Sequence, residues 1–337
     1  LLSRVSGAGV NYATYANYNA LGQPGAITYG NGITTSYQYY ASNNRLQSLF
    51  TGNTEQTLIN LAYTYYDAGN VKDIVNNTDS SRTQSFQYDG LDRLQQAQSS
   101  GYGGNGVLWY DYSPIGNIKL KEGVTYDYTG QKPHAVKSTS SGTTYAYDDN
   151  GNMVSESLGS AVYRKIDYDY DNMPQTVTIN NTTTTSFVYD GTGARVKKST
   201  STGENIYLGK LYECKEGTCT KYIFSGDTRL AMKNGTDVLY YHQDHLSSTL
   251  AVSNSQGTQE YPCSSQPVRI AGTAPRYFDT IQAAYNAAVD GDIIQTRAVN
   301  FGSVDVPENL DFSKGISVTI SGGYDCGYSS RLQNAQL

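Results

Sequence analysis

The chain has 337 residues, with 32 Tyr and 34 Gly against 7 Phe, 3 Met and 1 Trp. Tyrosine suits pleated, half-buried surfaces and glycine suits tight turns, so the composition predicts sheet; charged residues are only 16%, with Thr, Ser and Asn in their place, as suits an extracellular surface. A net charge of −6 argues against binding nucleic acid through its phosphates, which needs clustered Lys and Arg. The basic run Arg195-Val196-Lys197-Lys198 reads as a solvated strand face, and no apolar run reaches the roughly 18 residues of a membrane span. Leu1-Leu2-Ser3-Arg4 has no signal-peptide character and reads as the interior of a longer chain.

Along the first 260 or so residues the tyrosines align as a repeat, aromatic-x-Tyr-Asp-x-x-Gly-Asn/Arg-apolar. Clear copies are Phe86-Gln87-Tyr88-Asp89, Tyr145-Ala146-Tyr147-Asp148 (with Gly151 in the turn) and Phe187-Val188-Tyr189-Asp190. Looser ones centre on Tyr18, Tyr39, Tyr65, Tyr112, Tyr128 and Tyr170. Aromatics two apart share one strand face, the Asp side chain caps turn amides, and Gly permits the reversal. A second short strand follows, as in Val71-Lys72-Asp73-Ile74-Val75. Each copy is thus a β-hairpin of about 20 residues, too small to be stable alone, and the hairpins must stack and share their tyrosine stripe. The expected repeat core is Tyr88, Asp89, Tyr147, Asp148, Gly151, Tyr170, Tyr189 and Asp190.

These units resemble the Tyr-Asp (YD) repeats of the Rhs family, its toxin-complex shells and teneurins. Further motifs follow in the family's order: Pro133-His134-Ala135-Val136, Tyr207-Leu208-Gly209 and Lys221-Tyr222-Ile223-Phe224. A signature strand then runs Tyr241-His242-Gln243-Asp244-His245-Leu246-Ser247-Ser248-Thr249, where Ser247 replaces the family's glycine. The resemblance covers residues 8 to 262 and implies an all-β chain of stacked antiparallel hairpins, a curled sheet or partial shell. It implies a protein partner or an encapsulated polypeptide, and assembly with other chains; exposed aromatic rings add a surface glycan as a candidate partner. The family's closing segment is replaced after Gly257, so no self-cleaving aspartates carry over.

The tyrosine spacing stops near Tyr261-Pro262-Cys263, dividing the chain into a repeat sheet (1–262), a linker (263–276) and a third part (277–337). In that third part Asp279 or Thr280 is placed to cap a helix whose face carries Ile281, Ala284, Tyr285 and Ala288, ended by Gly291. Strands are expected at Ile293-Ile294-Gln295-Thr296 and Ile316-Ser317-Val318-Thr319-Ile320. Together they resemble the helix-capped start of a right-handed parallel β-helix.

Four cysteines allow three pairings; Cys214 and Cys219 can close a small loop, leaving Cys263 and Cys326. Zinc spacing is absent, so disulfides and an oxidising compartment are the reading. His242, Asp244 and His245 are the one cluster of ligand type, and on a continuous strand His245 would point away from the other two. No catalytic residue, metal or cofactor is assigned. The expectation is a non-enzymatic protein at the cell surface or outside the cell, acting as scaffold, adhesin or carrier. Two alternatives remain, the shell of a toxin whose active part lies outside this chain and the stalk of a β-helix carbohydrate-active enzyme.

Overall fold

Alternation of aromatic and polar residues builds the strands. In Gln84–Tyr88 the pattern places Phe86 and Tyr88 on a half-buried side and Ser85 and Gln87 on an exposed one. The computed structural model describes residues 1–102, 106–130, 132–260, 268–270, 276–278, 281–290, 292–297 and 319–324. Among these, 26 strands form one large antiparallel sheet, not closed into a barrel. Successive strands pair along the sequence from Arg4–Gly7 through Asp237–Gln243, as Thr57–Tyr65 with Val71–Asn76 and Gln84–Tyr88 with Leu94–Gln98. The repeat-hairpin reading therefore holds.

Two local features recur. A register shift falls immediately before the anchor tyrosine, at Gln38/Tyr39, Thr64/Tyr65, Gln87/Tyr88, Ala146/Tyr147 and Val188/Tyr189. Such a bulge tightens the twist of the strand and turns the tyrosine toward the preceding repeat. The turn that follows needs a left-handed residue, Gly151 at φ 95° in one copy and Asp92 at φ 60° in another. Gly151→Ala is expected to lower stability by about 1–2 kcal/mol in denaturant titrations. The control is Gly90→Ala, where φ is not positive and an added Cβ meets nothing within 4 Å, so its midpoint should hold or rise.

The chain divides into two compact units, residues 1–250 with 254–257, and 251–253 with 258–337. Burial within the first unit is uneven. Tyr12, Ile27, Tyr29, Ile33, Leu49, Leu61 and Tyr63 are buried, as are Leu230, Val238, Tyr240 and His242. Between them, among the described residues 64–229, only Ala97 and Ser99 are buried. The core thus sits where late strands lie face to face with early ones. Contact is close there: a Cβ on Gly30 would come within 2.6 Å of the Tyr240 hydroxyl.

The second unit holds a four-stranded sheet and the helix Ile281–Ala287. Ile270, Ala284, Tyr285, Ala288 and Ile294 form its core. Val268–Ile270 lies inside the segment read as a linker; it is a strand, antiparallel to both Arg276–Phe278 and Ile293–Arg297. The parallel pair is Ile293–Arg297 with Thr319–Tyr324. Cys263, Asp279, Thr280, Gly291, Cys326 and the residues 316–318 lie outside the described residues. No described helix is long and apolar enough to cross a membrane.

Candidate functional site: a tyrosine ladder and a histidine seam

The anchor tyrosines do more than fill space. The Tyr65 hydroxyl donates to the Leu46 carbonyl at 2.8 Å, Tyr88 to Val71 at 2.9 Å and Tyr112 to Leu94 at 2.8 Å. Tyr168 and Tyr189 reach Met153 and Pro174 at 3.0 and 2.8 Å. Each of these acceptors opens the second strand of the preceding repeat, so each hydroxyl ties two neighbouring hairpins together. Phenylalanine would supply the ring but not the tie, which accounts for Tyr over Phe. Tyr147 donates to Val136, the last residue of Pro133-His134-Ala135-Val136, at 2.9 Å. Burial raises the Tyr88, Tyr147 and Tyr189 hydroxyl pKa values, keeping these groups protonated donors. Tyr147→Phe is expected to cost about 1 kcal/mol in a thermal or denaturant melt; an unchanged midpoint would show the tie contributes nothing.

The aspartates organise the turns. Asp89 Oδ1 accepts from the Leu91 and Arg93 amides at 2.9 and 3.0 Å, and Asp190 Oδ1 does the same for Thr192 and Ala194. Hydrogen bonds from Arg93, Asn152 and Thr192 respectively hold the Asp89, Asp148 and Asp190 carboxyls below the usual carboxylate range. The Asn/Arg of the motif locks neighbouring turns: Asn70 Nδ2 donates to Asp92 Oδ1 at 2.6 Å, and Asn152 Nδ2 to Asn172 Oδ1 at 2.8 Å. Tyr170 is a correction. It stands fully exposed in a turn, and the true pair is Tyr168-Asp169, with Asp169 Oδ1 accepting from the Asp171 and Met173 amides. Two Tyr-Asp pairs in tandem made the phase ambiguous, and the strand, Ala161–Tyr168, ends at the first.

The signature residues lie at the seam. His242 is fully buried with its ring edge-on to Tyr29, centroids 4.6 Å apart. His245 packs against Tyr63 at 4.8 Å. His245 therefore does not point away, because the strand Asp237–Gln243 stops before it. Asp244 Oδ1 accepts from the Leu246 and Ser248 amides at 2.8 Å each, making the same turn as in the repeats, and this brings His245 round to the early strands. Ser247 takes the left-handed position at φ 64°, the place of the family's glycine. Tyr241 Oη lies 3.1 Å from Met232 Sδ, and the Arg229 guanidinium stacks over the Tyr241 ring. Desolvation lowers the His242 pKa to about 4 and raises that of Tyr29 to about 12. Both rings are thus neutral packing elements at physiological pH. Among the described residues no three His, Cys, Asp or Glu side chains are grouped to hold a metal ion.

Cys214 and Cys219 are disulfide-bonded across paired positions of the hairpin Tyr212–Lys215 and Thr218–Ser225. The sequence reading missed the seam as a whole. Its signal was present in the near-continuous apolar run Leu58-Ile59-Asn60-Leu61-Ala62-Tyr63, which departs from strict alternation.

No family model and no curated protein matches the chain. Solved structures do. A Photorhabdus luminescens Tc holotoxin pore with a mutated TccC3 component matches 74% of this chain at 16% identity with a TM-score of 0.59. A TcdB2–TccC3 crystal structure matches 75% at 16% identity, also with a TM-score of 0.59. The chain spans 15% and 16% of those two chains, so the fold it shares is that of a limited portion of each toxin-complex protein.

Proposed function

We propose that the chain is a non-enzymatic segment of an Rhs-type repeat shell or scaffold that works outside the cell and holds a polypeptide or neighbouring chains against its tyrosine face. The observation that carries this reading is the uneven cover of that face. At the seam it is buried by the chain's own late strands, whereas along residues 64–229 the same stripe is only half-buried. A wall of hairpins locked hydroxyl-to-carbonyl suits enclosure, since its strength is in the backbone and its side chains remain available for contact. The low charge and the Cys214–Cys219 bond support an oxidising, extracellular setting. Similarity to toxin-complex chains favours carriage of a toxin over adhesion as the specific role.

An electron-microscopy reconstruction of the native particle tests this. Polypeptide density against the tyrosine face, enclosed by repeats, is the expected result. An empty, solvent-filled stripe in the native particle would sink the carrier reading, and packing of that stripe on neighbouring subunits would make the protein a scaffold.

A further inference from the structure

The face opposite the tyrosine ladder carries polar side chains with scattered exposed apolar ones such as Val188 and Ile206, and the chain's only tryptophan stands on it. In Val107–Tyr112 the half-buried side holds Tyr110 and Tyr112, so Trp109 and Asp111 stand on the other side, with Trp109 49% exposed. Backbone pairing fixes its neighbours. Trp109 lies opposite Gln96, Gln96 lies opposite Gln87 on the next strand, and Gln98 lies one position along the same face. With strands about 4.8 Å apart, Gln87, Gln96 and Trp109 form a row about 10 Å long that ends on the indole. Asp111 flanks the row, and its charge is matched by Lys119 at 3.0 Å.

We propose that this row is a binding platform for a neutral glycan chain. A pyranose ring has an apolar C–H face and a rim of hydroxyls. The exposed indole offers a flat apolar surface whose negative quadrupole attracts those C–H groups. Each glutamine amide both donates and accepts, as a sugar hydroxyl does. Gln87 and Gln98 are exposed and Gln96 is half-buried, so their amides exchange water for hydroxyls without rearranging the sheet. The charge balance selects against the competitors. Phosphate binding needs unpaired cations, and Lys119 is already matched by Asp111. A protein hot spot packs its tryptophan into a desolvated apolar centre, whereas here Trp109 is half exposed and its cross-strand neighbours are amide side chains, with half-buried Val107 beside it on the strand. Lying on the face away from the ladder, the platform stands or falls independently of the shell reading.

Because Trp109 is the only tryptophan, red-edge-excited fluorescence of the full chain reports on this site alone. Titration with neutral oligosaccharides of glucose, galactose and N-acetylhexosamine is expected to give a saturable emission change with at least one of them. By calorimetry, Trp109→Ala should weaken that binding roughly tenfold or more, each factor of ten being about 1.4 kcal/mol. Gln96→Ala should weaken it to a smaller degree, with circular dichroism showing both variants fully folded at the titration temperature. No saturable response across the panel, or binding that survives Trp109→Ala, overturns the proposal. An emission change that depends only on the chain's own concentration would equally overturn it, assigning the face to self-association.

Discussion

Tyr63→Ala will be the most damaging single substitution on the tyrosine stripe, lowering the stability of the first unit by about 3–5 kcal/mol. Tyr63 is 1% exposed, contacts the His245 ring edge-on, and lies in the strand Thr57–Tyr65 beside buried Leu61. Its removal leaves a cavity between two layers that cannot collapse without moving the seam. Tyr147→Ala and Tyr189→Ala remove half-buried rings and one hydroxyl tie each, and should cost less, about 1–3 kcal/mol. Chemical denaturation followed by far-ultraviolet circular dichroism ranks the three. If Tyr147→Ala proves as costly as Tyr63→Ala, the repeats themselves and not the seam are the stabilising core.

That difference marks what the sequence could and could not disclose. The hairpins were legible because their determinants are local. The anchor tyrosine, the aspartate and the left-handed residue fall within a few positions of one another, and each has a mechanism of its own. Tyr170 was misplaced for the same reason: Tyr168-Asp169-Tyr170-Asp171 offers two local solutions, and only the pairing of Tyr168 with Pro174 decides between them. His242 meets Tyr29 across more than 200 residues of chain, and no local pattern announces such a contact. Reading the signature as one extended strand then sent His245 the wrong way, since the turn set by Asp244 is chemically the same as those already recognised. The exposure of Trp109 could have been read, because Tyr110 and Tyr112 fix the phase of their strand and leave Trp109 on the opposite face.

Acidification from pH 7 to pH 4 should weaken the first unit by up to about 3 kcal/mol through His242. The sign follows from the direction of its shift. Burial lowers the folded-state pKa from 6.5 to about 4, so the folded protein holds the ring neutral while the unfolded chain takes up a proton. Above pH 6.5 both states are neutral and the stability is complete; below it the unfolded state gains, until near pH 4 the folded state protonates as well. His245 works in the same direction, its burial outweighing the opposing pull of Asp244. Tyr29, with its pKa raised to about 12, stays neutral throughout. The turn carboxyls Asp89, Asp148 and Asp190 are held below 3.8, so the stability they confer begins to be lost below about pH 5, as the unfolded chain protonates, and the decline between pH 7 and about pH 5 is the part that belongs to the histidines. His242→Phe keeps an aromatic ring against Tyr29 and removes the titration, so its denaturation midpoint should vary much less between pH 7 and about pH 5 than that of the native chain. A native-like decline in that variant would assign the acid sensitivity to another group and leave the seam as packing alone.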